Sequence, residues 1–220
     1  MFLRRVLPAS LLAALAAGVL LAQPPKLDGE YVKKATRPDT VRATLASHKL
    51  PALDGKWYVC GPFENAERVG FDAAYGPEKG TVDLKATYPG KGGAVGWKEF
   101  PGFRLGAILD LAKLFPPQHR NNVVAYVYHE FDSDREYRFP ISLGSDDSLS
   151  VFFNGRRLLH EDHERPAAAD QARVELPVVV GRNRLLIKIG QYGGGWEVYV
   201  APELPQIVPE TIRRRADRDF

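Results

Sequence analysis

The sequence of 220 residues contains a single cysteine, Cys60. One cysteine excludes an intrachain disulfide and a zinc site built from several cysteines. The sequence also lacks a large excess of positive or negative charge. It has 30 Lys and Arg residues and 27 Asp and Glu residues, which gives a net charge of +3. Arg4 and Arg5 lie in a segment that we expect to be removed, which leaves about +1 (28 minus 27). A nearly neutral chain has no broad field that attracts nucleic acid, so we expect no such partner.

Long apolar runs are scarce, and the longest lies at the N-terminus. Leu11–Ala22 is an apolar run of 12 residues that follows Arg4 and Arg5. A membrane-spanning helix needs about 20 apolar residues, whereas this length suits the core of a signal peptide. We therefore expect residues 1–22 to be a signal peptide, and the mature protein to be secreted or periplasmic without a membrane span. An uncleaved N-terminal anchor is the alternative.

The remaining chain divides by composition into three parts. Residues 23–55 are polar and predict an arm or linker, with one weakly helical piece at Asp39–His48. Residues 56–202 carry the apolar periodicity and predict one domain. Residues 203–220 are polar, marked by proline and mixed in charge, which predicts a frayed C-terminal tail.

Strand patterns dominate the predicted domain. Trp57–Phe63 alternates and is predicted to end at Gly61-Pro62, while Asn121–Glu130 is apolar on both faces, as in a central strand. Asn154-Gly155 and Gly181-Arg182 predict two tight turns. About seven to nine short strands with frequent turns predict an all-β fold, an antiparallel β-sandwich or jelly roll.

One segment of the predicted domain is ambiguous. Leu105–Phe115 has apolar residues at helical spacing and precedes Pro116-Pro117, which would stop a helix. We expect a short helix or an irregular strand there.

Three motifs in order resemble the galactose-binding-like β-sandwiches, which include sugar-binding domains attached to glycoside hydrolases. Leu143–Gly155 resembles their strand, Ser-Asp-Asp, strand, Asn-Gly element, and Leu176–Lys188 is similar to their Gly-x-Asn strand element. Trp196–Val200 resembles the closing strand of these domains, and Trp57–Phe63 resembles their first strand. The resemblance covers residues 56–202 and implies a jelly roll of about eight or nine strands that is usually non-catalytic. It implies binding to carbohydrate, binding to another ligand, or packing against an enzyme domain, but no binding motif transfers residue by residue.

Aromatic residues in glycine-rich loops are the candidate ligand-binding residues. Sugars present flat apolar faces that stack on exposed aromatic rings. Trp57 and Trp196 lie in alternating strands and are predicted to be core residues. The candidates occupy or end loops, which are often functional when they are long. They are Tyr75, Tyr88, Trp97 and Tyr192.

Metal binding has weaker support in the sequence. Two acidic pairs in predicted turns are weak candidates for a structural calcium ion, which prefers six to eight oxygen ligands. They are Asp132 with Asp134, and Asp146 with Asp147. Short side chains at these turns could instead bond the backbone. His160 and His163 have i, i+3 spacing instead of the i, i+4 of a zincin, so we expect a polar loop. No other cofactor is expected.

Catalytic motifs are missing as well. The chain has no G-x-S-x-G, and no Ser, His and acid set can be selected from five histidines. Cys60 lies in an apolar run and is predicted to be buried and inert. We therefore expect an exported, non-catalytic module that binds carbohydrate or another polar component of the cell envelope. The alternatives are a structural module that docks onto a protein partner, such as an enzyme or envelope assembly, and a small hydrolase.

Overall fold

The computed structural model describes residues 32–35, 53 and 55–203. These residues form two antiparallel sheets that share one apolar core, which confirms the predicted all-β sandwich. In this part of the chain, every helix is too short and too polar to cross a membrane. The predicted signal peptide, the Asp39–His48 piece and the tail beyond residue 203 lie outside the described residues.

The smaller sheet has five strands and the larger sheet has seven. In spatial order, the smaller sheet contains β1 (Val32–Ala35), β5 (Ala107–Asp110), β12 (Glu197–Pro202), β7 (Tyr137–Asp146) and β10 (Ala172–Val178). The larger sheet contains β3 (Thr87–Gly90), β4 (Gly93–Glu99), β2 (Trp57–Glu64), β6 (Val123–Ser133), β11 (Gly181–Gln191), β8 (Leu149–Phe153) and β9 (Arg156–Glu161).

Within residues 55–203, helical structure is limited to short pieces at the edges of the sandwich. One α-helical turn, α1, spans Val69–Asp72. The 3-10 turns are Ala66–Arg68, Gly76–Glu78, Leu111–Leu114 and Pro117–His119. The ambiguous Leu105–Phe115 segment is part strand and part helix, since β5 is followed directly by the 3-10 turn Leu111–Leu114. The Asp110 carboxylate caps that turn by accepting a hydrogen bond from the Ala112 amide at 2.9 Å.

The main core lies between the two sheets and contains both tryptophans that were predicted to be buried. Trp196 is fully buried, and Trp57 stacks on Phe103 with ring centroids 3.9 Å apart. The Trp57 indole N–H donates to the Leu53 carbonyl at 2.9 Å, so its polar atom is satisfied inside the core. Each such ring removes a large apolar area from water, worth about 2–3 kcal/mol.

Strand β6 is buried on both faces, as its sequence predicts. It pairs with β2 on one side and β11 on the other. Val123, Ala125 and Val127 face the main core, whereas Tyr126 and Tyr128 belong to a second apolar cluster on the opposite face of the larger sheet. We call that opposite face the outer face. Cys60 is fully buried there, and burial raises the pKa of its thiol to about 12, in agreement with an inert cysteine.

Two predicted boundaries are wrong. Strand β2 does not end at Gly61-Pro62 but continues to Glu64, because a shift of register between Cys60 and Phe63 places the proline at a bulge. The second turn lies two residues earlier than Gly181-Arg182, since β10 ends at Val178 and β11 begins at Gly181. The Asn154-Gly155 turn is confirmed, with φ of 50° and 82° at its two residues.

Candidate functional site

The outer face of the larger sheet is covered by residues 65–86, which we call the cover segment. Phe71 and Tyr75 of this segment pack into the second apolar cluster. The Tyr75 ring lies 4.7 Å from the Phe63 ring, and its hydroxyl donates to the Glu64 carbonyl. The apolar character of both faces of β6 is explained by this layer, since the outer face would otherwise leave its tyrosines in water.

A buried ion pair attaches the cover segment to the sheet. The Lys188 side chain is 2% exposed, and its ammonium donates to Glu78 Oε1 at 2.8 Å and to the Ala73 carbonyl at 2.7 Å. The Tyr126 hydroxyl donates to the same Glu78 oxygen. Burial lowers the pKa of Lys188 and the Glu78 carboxylate opposes that shift, so the two groups are tightly coupled.

An open groove lies beside this ion pair, between the edge of the cover segment and the sheet. Its volume is about 520 Å³, within the usual range for small-ligand sites. Its apolar lining includes Tyr128, Phe152 and Leu186. Its polar lining includes Glu78, Thr81, Arg182 and Arg184. The arrangement combines aromatic side chains with groups that donate and accept hydrogen bonds.

Two turns form one end of the groove, and side-chain hydrogen bonds connect them. The Asn154 amide accepts from the Arg184 backbone N–H at 2.8 Å and donates to the Asn183 side chain at 3.1 Å. Asn183 is fully buried and bonds both Val179 and Gly181 across the β10–β11 turn. The end of the groove is therefore held by a satisfied polar network, which favours a preformed site.

Tyr128 and Arg184 are neighbours in the groove. The Tyr128 hydroxyl donates to Glu130 Oε2 at 2.9 Å. Burial and this hydrogen bond raise the pKa of Tyr128, while the Arg184 guanidinium opposes the rise. Arg184 Nε is buried and has no hydrogen-bond partner among the described residues. The residue lines the groove, so its guanidinium is a candidate ligand contact.

The four aromatic candidates do not form one exposed patch. Tyr75, Tyr88 and Trp97 are half-buried members of the second cluster, and Trp97 lies 5.5 Å from Tyr128. Tyr192 is only 8% exposed and belongs to another network, in which its hydroxyl lies 2.7 Å from Ser148 Oγ. A ligand-binding role for these four residues stays a prediction.

Sequence reasoning missed the residues that line the groove. Tyr128 and Phe152 lie within segments that were predicted to be strands. The alternation of apolar and polar residues in a strand does not show whether an aromatic ring is covered by another layer or lies beside a groove. The only signal was the apolar character of both faces of β6, which required a second layer.

The acidic candidates for calcium lie at separate turns. Asp132, near the end of β6, forms an ion pair with Arg182 at 2.8 Å, and Asp134 is exposed on the turn that follows. The Asp147 carboxylate accepts from the Tyr192 amide at 2.8 Å, and burial raises its pKa. Across residues 55–203, no group of three or more His, Cys, Asp or Glu side chains is placed to hold a metal ion. A calcium site at Asp146 or its neighbours stays a prediction.

The fold does assemble one Ser, His and acid set that the sequence did not reveal. Ser150 Oγ lies 2.5 Å from His160 Nδ1, and His160 Nε2 lies 3.0 Å from Asp72 Oδ1. These residue types support nucleophilic catalysis when the serine is accessible. Here Ser150 is 0% exposed and Phe71 stacks on the imidazole at 4.8 Å, so a substrate carbonyl has no approach to the hydroxyl. The set ties the cover segment to β8 and β9.

Comparisons with known proteins find solved structures of low similarity. The sequence matches no known protein family, and no curated protein matches it. A β-glucosidase from Kluyveromyces marxianus, solved with glucose, is 13% identical in sequence. The alignment covers 55% of this chain and 16% of the enzyme's chain, with a TM-score of 0.40. The chain thus spans less than a fifth of that enzyme's length.

Two smaller domains have similar scores. The Epithelial Adhesin 9 A domain from Candida glabrata, solved with Galβ1-3GlcNAc, is 9% identical and covers 80% of this chain and 88% of its own, with a TM-score of 0.38. The PA14 domain of the antifreeze protein MpAFP is 9% identical and covers 39% of this chain and 46% of its own, with a TM-score of 0.31. Scores of this size identify no ligand. The sandwich of two antiparallel sheets itself is the fold that the resemblance to galactose-binding-like β-sandwiches implied.

Proposed function

We propose that the protein is an exported, non-catalytic module that binds carbohydrate in the groove on the outer face. The observation that carries this proposal is the open groove of about 520 Å³ that brings Tyr128 and Phe152 together with the Arg184 guanidinium. A sugar has flat apolar C–H faces and a rim of hydroxyls. Aromatic rings match the first feature and fixed polar groups match the second.

The polar groups of the groove suit binding more than bond cleavage. The Glu78 carboxylate is occupied by Lys188 and Tyr126, and the Glu130 carboxylate by Arg182 and Tyr128. A glycosidase needs two carboxyl groups that are free to act as acid and as base or nucleophile. The inaccessible Ser150 gives no support to a serine hydrolase either.

The alternative function, a structural module that docks onto a protein partner, requires a contiguous apolar surface. Over residues 55–203, the exposed large apolar side chains are Val69, Val179 and Val180. The last two are adjacent at the β10–β11 turn. This area is far below the several hundred Å² that mark a typical protein-binding patch. The described surface therefore favours the groove as the functional feature.

A glycan array with the protein that begins at Gln23 tests the proposal. We expect binding to at least one glycan, and we expect Phe152→Ala to weaken it about tenfold, because one stacking contact is worth about 1–1.5 kcal/mol. Leu158→Ala is the matched control, since Leu158 is also half-buried but packs against the main core. Binding to no glycan, or equal weakening by both variants at equal thermal stability, would contradict the proposal.

A further inference from the structure

Arg184 lies beside a carboxylate that is already engaged by another arginine. In the register of β6 and β11 it lies directly opposite Glu130, on the same face of the sheet. Glu130 is already occupied, because Oε1 accepts from Arg182 at 2.7 Å and Oε2 accepts from the Tyr128 hydroxyl. Arg182 reaches Asp132 as well. Within the described residues Arg184 forms no ion pair, although it lines the groove.

A second guanidinium stands beside the aromatic surface of the groove. Phe152 on β8 lies opposite Leu186 on β11 and opposite Arg157 on β9, so these three side chains form one row on the outer face. Arg157 is exposed and has no ion pair in the part of the chain that the structure describes. Its positive charge also contributes to the lowered pKa of Lys188, after burial.

Three carboxylates near the groove are already engaged by cations. Glu78 is paired with Lys188 at 2.8 Å, while Glu130 and Asp132 are both paired with Arg182. Arg184 and Arg157, by contrast, form no ion pair in the described part of the chain and lie on the same face as the aromatic surface of the groove. A neutral ligand would leave both of them without a charged partner.

We propose that the ligand of the groove is an acidic oligosaccharide, in which one sugar ring carries a carboxylate. The carboxylate pairs with the Arg184 guanidinium while the apolar face of the same ring packs against Phe152. A planar guanidinium matches a carboxylate with two parallel hydrogen bonds, which a sugar hydroxyl cannot form. Arg157 adds a second positive charge that favours a further acidic residue along the chain. This inference rests on the proposed carbohydrate binding and adds the class of sugar.

Calorimetric titration with two oligosaccharides of equal length tests the inference. One is an oligogalacturonate and the other is the corresponding neutral galacto-oligosaccharide. We expect the acidic ligand to bind at least about tenfold more tightly, and the preference to shrink as salt is raised. Arg184→Gln should abolish the preference, and Arg184→Lys should restore only part of it, because an ammonium lacks the planar fork.

Arg138→Gln is the control, since Arg138 is an exposed arginine on β7 in the other sheet and should leave both affinities unchanged. If Arg184→Gln fails to fold, as judged by thermal melting, the exposed Arg157→Gln variant should still reduce the preference. Equal binding of both ligands, or a preference that survives Arg184→Gln, would overturn the acidic assignment and leave carbohydrate binding standing. Tighter binding of a sulfated than of a carboxylated oligosaccharide would also overturn it. Binding to no glycan on the array would instead remove the proposed function itself.

Discussion

The Lys188 ammonium donates to the Glu78 carboxylate at 2.8 Å across 110 residues of sequence. Lys188 belongs to the sheet and Glu78 to the cover segment, so this contact holds together the two sides of the groove. The rings of Phe71, Tyr75 and Tyr126 lie 5.5 to 5.6 Å from the ammonium and exclude water from it. The pair is thus both buried and hydrogen-bonded, the condition under which loss of one partner is most damaging.

Removal of Lys188 should destabilise the protein strongly. Lys188→Ala leaves the Glu78 carboxylate buried without its cation, so we expect the free energy of unfolding to fall by about 3–5 kcal/mol. Urea denaturation followed by tryptophan fluorescence measures this loss. The double variant Lys188→Met with Glu78→Gln is the control, since it removes both charges and should recover part of the loss. A single variant that costs less than about 1 kcal/mol would show that the pair is not important for stability.

The Asn154-Gly155 turn should tolerate no side chain at its second position. Gly155 has φ of +82°, where an added Cβ is strained even though no atom lies within 4 Å of it. We expect Gly155→Ala to lower the free energy of unfolding by about 1 kcal/mol. Gly193→Ala is the matched control, because Gly193 also has open space around it but no positive φ. Equal stability of the two variants would contradict the conformational explanation.

The stability contribution of Asp162 should depend on pH. Its pKa is below the ordinary value because hydrogen bonds from Ser148 and Tyr192 outweigh the effect of burial. A carboxyl group whose pKa is lower in the folded state stabilises the protein above its unfolded pKa of about 3.9, and this contribution is lost as pH falls through the folded pKa. We therefore expect Asp162→Asn to be less stable than the wild type at pH 7, with the difference shrinking below about pH 4.

Thermal melting of both proteins between pH 7 and pH 2 measures that difference. Asp134→Asn, at an exposed turn, is the control and should show a small difference at every pH. A gap between wild type and Asp162→Asn that stays constant down to pH 2 would show that the carboxylate charge is not responsible. The raised pKa of Asp147 is common to both proteins and cancels in the comparison.

The Cys60 thiol should react only after unfolding. Cys60 is fully buried, and burial raises the pKa of its thiol to about 12, so almost no thiolate is present at neutral pH. We expect no reaction with an aromatic disulfide reagent at pH 8 within minutes, and one equivalent of reaction in guanidinium chloride. Stoichiometric reaction of the native protein would mean that the outer face opens readily at β2.

The sandwich could be predicted from the sequence because its signals are local. Asn154-Gly155 specifies a hairpin through the conformations of two residues, and β6 shows apolar residues on both faces along one continuous run. The boundary at Gly61-Pro62 was predicted wrongly because a proline within a strand usually ends it. The bulge that admits Pro62 depends on the pairing of β2 with β6, which no local pattern encodes.

The groove could not be predicted for a similar reason. Glu78 and Arg184 are ordinary charged residues in the sequence, and their importance comes from which partners the fold gives them. Glu78 forms an ion pair with Lys188. Glu130, which lies opposite Arg184, forms its ion pair with Arg182 instead. Such competition among charges is decided by strand register and side-chain reach. The aromatic candidate Tyr75 does lie in the cover segment, but the structure packs its ring against the sheet.

The position of the cover segment has a consequence for how the protein folds. Contacts that join distant parts of a chain must first overcome the entropy of closing a long loop, so they tend to form late. The hairpin of β8 and β9 closes through two residues, whereas the Glu78 and Lys188 contact joins positions 110 residues apart. Lys188 reaches Glu78 only when β11 has its place in the larger sheet, so docking of the cover segment depends on the pairing of β11 with β6. A molecule with the cover segment undocked would expose the tyrosines of the outer face and would have no groove, so binding competence requires the docked segment.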